Sequence, residues 1–192
     1  NIKMANNKAT HPYVSSSGNL VQAFTQFRKA MPGQIDASIL KKLGIAPGNE
    51  SVVINVLRFL SFIDDDGKKT SKGSEVFLKH DDVEFAKTLE KHVKNAYSEL
   101  FELRGDEAWS VDRDTLIGFF RATDETSALT AKRQAIAFET LSALSGHGEV
   151  SSPRQKQQKE PKSPTHKKPK RTTKAEKSSA GKITNPTVTR GG

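Results

Sequence analysis

Along the first three quarters of the chain, apolar residues recur every three or four positions, the spacing that gathers them on one side of an α-helix. Leu20, Phe24, Phe27 and Met31 follow this spacing behind Ser17 and Asn19, residue types that cap helix starts, and Pro32 and Gly33 close the segment. Asp36 is placed to cap a short second helix holding Ile39, Leu40 and Leu43, and Gly44 stands where a helix end favours a left-handed residue. After the turn "APGN", Val53, Val56, Leu57 and Leu60 define the apolar face of a third helix. Ser51, Ile54, Asn55 and Arg58 are left on its opposite side.

The period then changes. In "FLSFIDDDGKKTSKGSEVF", Phe62 and Ile63 read as a short strand, "DDDG" as a turn whose glycine tolerates positive φ, and residues 68–70 as the returning strand. Ser71 caps a short helix carrying Val76 and Phe77. Helix, helix, helix, hairpin is the order of a winged helix-turn-helix, so the pattern predicts a mainly α fold with a short two-stranded wing and additional C-terminal helices. The first of these runs from near Asp82 to about Gly105, with Ala86, Leu89, Val93, Ala96, Tyr97 and Leu100 on one stripe. A shorter one holds Leu116, Ile117, Phe119 and Phe120 behind a cap at Ser110 or Asp112. The last covers residues 127–145 with Leu129, Ile136, Leu141 and Leu144.

Periodicity stops near residue 148. The remainder is rich in Lys, Pro, Ser, Thr and Gln and has no aromatic residue, so it lacks the apolar area needed to offset its ordering entropy. The expected organisation is a flexible N-terminus over residues 1–12, a helical domain over 13–147 and a disordered basic tail over 148–192. Met4 reads as the natural start, which makes Asn1, Ile2 and Lys3 a leading remnant.

Charge sharpens this division. The chain carries 31 Lys plus Arg and 22 Asp plus Glu, for +9. Residues 150–192 hold 12 basic and 2 acidic side chains, or +10, and the remainder holds 19 and 20, or −1. The basicity belongs to the tail. Within it, "HKKPKRTTKAEK" with Lys167, Lys168, Lys170 and Arg171 is the strongest signal for a polyanion, since each cation that neutralises a phosphate releases a counterion. A tether that only confers solubility has the same composition.

Four blocks bear on kinship when taken together: "PYVSSSGNLVQAF", "LRFLSFIDDDGKKTSKG", "AYSELFEL" and "LIGFFRATDETSALTAKRQAIAFETLSAL". Over roughly residues 12–144 they resemble the prokaryotic family called domain of unknown function 5343. The resemblance implies a largely helical, winged-helix-like domain and carries no assigned activity or catalytic residue.

Candidate chemistry is therefore that of binding. On the third helix Ser51, Asn55 and Arg58 face outward, and Arg and Asn suit guanine and adenine edges in a major groove. Lys68, Lys69 and Lys72 in and after the hairpin can reach phosphates, although Asp64, Asp65 and Asp66 at its tip oppose them. DNA or another polyanion is the expected partner, and a protein docked on the same scaffold is the alternative. No enzyme is expected: the five histidines sit in no nucleophile motif, and neither a G-x-S-x-G elbow nor a phosphate-cradling glycine loop occurs. No cofactor or metal site is expected either, since His80, Asp81, Asp82 and Glu84 read better as an exposed histidine beside a helix cap. With no cysteine, no span of about 18 apolar residues and no apolar signal core, the chain reads as cytoplasmic and not membrane-bound.

Overall fold

The computed structural model describes residues 10–149, and across them the chain is mainly helical. The elements are α1 (Ser17–Lys29), α2 (Ala37–Lys42), α3 (Glu50–Phe59), α4 (Ser71–Phe77), α5 (Asp82–Ala96), α6 (Ser98–Arg104), a 3-10 turn (Gly105–Ser110), α7 (Arg113–Asp124) and α8 (Ala128–Leu144). Local chemistry sets most of their limits. The Asp36 carboxylate accepts the Ile39 N–H at 2.9 Å and starts α2, and Gly44 at φ +65° lies just past its end. Asp112, and not Ser110, caps α7 through Thr115. Thr70, and not Ser71, caps α4: its hydroxyl accepts the Gly73 N–H at 3.1 Å and donates to the Ser61 carbonyl at 2.6 Å. Among the described residues no helix is long and apolar enough to cross a membrane.

The expected two-stranded wing is corrected. Among the described residues only isolated antiparallel bridges occur, Ile63 with Lys69 and Gln34 with Lys68. The arms have no room to extend, because the turn opens at Asp64 directly after Ile63 and Thr70 is already committed to α4. A third segment shares the pairing: Ile35 N–H donates to Gly67 O at 2.8 Å, Lys69 N–H to Gly33 O at 2.9 Å and Asp64 N–H to Lys68 O at 2.9 Å. Sequence pattern gives no hint of that segment, which is wedged between Pro32 and the Asp36 cap. Gly67 is required here, at φ +81°, because a Cβ would collide with the Ile35 carbonyl oxygen.

The long helix expected from Asp82 to Gly105 is broken at Tyr97 (φ −99°, ψ 33°), giving α5 and α6. Tyr97 is fully buried, with Phe138 and Phe59 ring centroids 4.9 and 5.0 Å away, and its hydroxyl has no hydrogen-bond partner among the described residues. Burial, with the Asp124 charge adding to it, pushes the phenol well above its ordinary pKa.

The expected stripe of α8 holds at Leu141, which is buried, and at Ile136 and Leu144, which pack against the core, but fails at Leu129. Leu129 is 59% exposed, and the buried apolar positions are Ala131, Ala135, Ala137, Phe138 and Leu141. Small side chains let α8 sit among α7, α1 and α5, so it is buried on more than one side and shows no single apolar stripe. One apolar cluster runs from Val14 and α1 through to Leu141.

Candidate nucleic-acid interface

On α3, Ser51, Asn55 and Arg58 are exposed, as their spacing requires. Ile54 is not part of that surface: it is 8% exposed and belongs to the core. An apolar helix stripe is wide enough to take in a position flanking Val53 and Leu57.

Arg58 is already engaged. Its Nη2 donates to the Asp65 carbonyl at 2.9 Å and ties the helix to the turn. Asp64 works in the same local manner, since its Oδ1 accepts the N–H groups of Asp66 at 3.0 Å and Lys68 at 2.8 Å. Asp64 thereby builds the turn, where the sequence suggests only a repelling charge.

The expected lysines are not all placed alike. Lys68 and Lys72 are exposed, whereas Lys69 is half-buried and lines a different recess with Lys29, Met31 and Phe77. Adjacent side chains of an extended segment point to opposite faces, which separates Lys68 from Lys69. Lys167, Lys168, Lys170 and Arg171 lie outside the described residues.

Beside α3 runs a segment whose importance the sequence does not reveal. His11, 5% exposed, places Nδ1 3.0 Å from each Asp124 carboxylate oxygen, and its backbone N–H donates to Oδ2 at 2.8 Å. Gln134 Nε2 donates to the same Oδ2 at 2.7 Å and to the His11 carbonyl at 2.9 Å, and Thr126 Oγ1 donates to Gln134 Oε1 at 3.1 Å. Val14 N–H adds a bond to Arg133 O at 3.1 Å. These bonds strap residues 10–14 to α7 and α8. Those made by His11 and Val14 span more than 110 positions, so no local motif announces them. Between strap, α3 and turn lies an open groove of about 450 Å³, lined by Thr10, His11, Pro12, Tyr13, Asn55, Arg58, Phe59 and Asp65. It pairs one basic with one acidic side chain and two exposed or half-buried aromatic rings, Tyr13 and Phe59.

A second surface is equally hidden in the sequence. Arg28, Lys29, Lys79 and His80 line a recess of about 280 Å³ at the end of α1, and Lys69 joins Arg28, Lys29 and His80 in the adjoining hollow. Its members come from α1, the turn and the segment after α4, which sequence spacing does not connect. Among the described residues no group of three or more possible metal ligands is assembled. Asp81 instead accepts the Val83 and Glu84 N–H groups to cap α5, and Asp82 pairs with Arg28 at 2.7 Å.

Comparison with curated proteins and with solved structures returned no match. A family model does match, over residues 12–152, described as a family of unknown function (DUF5343). It covers every helix described above and the recess at the end of α1 but begins after Thr10 and His11 of the strap, and the chain belongs to that family.

Proposed function

We propose that this chain is a non-enzymatic, DNA-associated binding module built on a winged-helix plan, holding duplex through phosphates and not by reading bases from α3. The plan is supported by the order of α1, the segment around Gln34, α2, α3 and the hairpin, and by the backbone bonds linking its three short arms. The Arg58 bond to Asp65 carries the choice between the two modes of recognition. It engages the sole basic side chain of α3, the residue best suited to guanine, in holding the turn. What remains outward among the described residues is Ser51 and Asn55 on α3 with Lys68 and Lys72, and the sequence adds the cations of residues 150–192. Such a set favours affinity that varies with salt and little with sequence.

A salt-titrated assay on fluorescent duplexes of two unrelated sequences tests this. The full chain should bind both equally, with log affinity falling linearly in log salt. Changing Lys167, Lys168, Lys170 and Arg171 to Gln should flatten that slope by up to about 0.9 for each phosphate no longer neutralised. Strong preference for one duplex, or no binding at low salt, overturns the reading.

The competing use is a protein adaptor, favoured by one feature: the groove beside α3 balances its charges and carries aromatic rings from Tyr13 and Phe59. Such a surface suits a polypeptide better than a phosphate backbone. Failure of the duplex assay together with loss of a partner on Tyr13→Ala would establish it.

A further inference from the structure

We infer that the recess at the end of α1 is a phosphate-binding site of the folded domain, engaging the duplex backbone through Lys29, Lys69 and Lys79. This rests on the DNA-associated reading and gives it a place on the domain that the sequence does not indicate.

The site has a fixed floor and free cations. Arg28 is held from three directions: Nη1 on Asp82 Oδ1 at 2.7 Å, Nη2 donating to the His80 carbonyl at 2.9 Å, and the guanidinium 4.4 Å from the Phe85 ring centroid. Its charge is met by Asp82, and the carboxylate of Asp81 is turned to the N–H groups of α5. Among the described residues neither acid forms an ion pair with the lysines. Lys29, Lys69 and Lys79 form no ion pair within the described residues, whereas Lys91 and Lys94 each have an acidic partner.

A lysine at a helix C-terminus has an ordinary explanation in the helix dipole, which accounts for Lys29 at the end of α1. It does not account for Lys69, which lies in the hairpin and still lines the same hollow as Lys29. Three uncompensated cations thus gather in a part of the chain whose net charge, outside the tail, is −1. Ser74 lines the hollow as well and offers a hydroxyl donor of the kind common at phosphates. Leu78, 67% exposed, gives the rim an apolar surface for the sugar.

The test uses the full chain. Lys29, Lys69 and Lys79 are changed together to Gln, and a control changes the exposed Lys41, Lys42 and Lys132 to Gln, so both variants lose the same charge. Affinity for a fluorescent random-sequence duplex is measured across a salt series, with circular dichroism melts to verify that both variants remain folded. The recess variant should lose about 0.9 of slope per phosphate, nearly 3 in all, and the control less than 1. If the parent binds duplex and the two variants behave alike, the recess assignment is overturned while the broader reading stands. If the parent does not bind duplex at all, both are overturned.

Discussion

The groove beside α3 and the recess at the end of α1 share no lining residue, and they differ in what their polar groups are doing. In the groove, Arg58 is bonded to Asp65 and His11 to Asp124. In the recess Arg28 is paired with Asp82, and among the described residues Lys29, Lys69 and Lys79 have no acidic partner. On the proposed phosphate-recess reading, position on the helix expected to read DNA is a poorer guide to a charged partner than the balance of charge around a concavity. A guanidinium that already makes a good hydrogen bond must give it up before it can engage a ligand.

The hairpin connects the two regions, since it supplies Asp65 to one and Lys69 to the other. Breaking it should have the largest effect. Gly73 packs in α4 where a Cβ would collide with the Phe62 carbonyl oxygen. Gly73→Ala should therefore cost about 2–3 kcal/mol through overpacking against backbone, read as a lowered denaturant midpoint, and should disturb both regions together. A stable variant would show that the hairpin yields easily.

His11→Ala should separate the regions. It leaves the Asp124 carboxylate, with a side chain only 1% exposed, without its histidine partner, at a cost of about 3 kcal/mol. Because the strap borders only the groove, the slope of duplex affinity against salt should not change in the folded protein. A flattened slope would place the strap among the phosphate-binding elements.

Acid should act weakly and on helix ends more than on either surface. The backbone N–H of Ile39 holds Asp36 below its ordinary pKa of 3.8. The Thr115 hydroxyl and N–H do the same for Asp112, and the Lys94 ammonium for Asp106. Each carboxylate is thus more acidic folded than unfolded, so its contribution is present above 3.8 and is lost as pH falls through the lower folded value. All three are exposed to solvent, and the thermal midpoint should decline gently below that pH. A midpoint that rises with acidification would contradict the assignment of these two caps and the Lys94–Asp106 pair.

Much of the helical half of the fold is legible in the sequence because caps and glycines are local signals. Asp36, Gly44 and Asp112 act where their neighbours in sequence say they should. What escapes depends on partners far along the chain. The buried character of α8 rests on alanines that count little in an apolar pattern but fit between helices. The break at Tyr97 interrupts a stripe that continues on both sides. Of the candidate site, the exposure of Ser51, Asn55 and Arg58 is readable from helical spacing. The engagement of Arg58, the strap through His11 and the gathering of Lys29, Lys69 and Lys79 are not, since each joins segments that only folding brings together.

The most direct measurement sets the two regions against each other in one salt series on one random-sequence duplex. It compares the parent with Asn55→Ala/Arg58→Ala and with Lys29→Gln/Lys69→Gln/Lys79→Gln. The α3 variant should keep the parent slope within about 0.5, while the recess variant should lose nearly 3. A flattened slope in the α3 variant, with the parent slope retained in the recess variant, would overturn the phosphate recess and return α3 to the role of DNA-contacting helix.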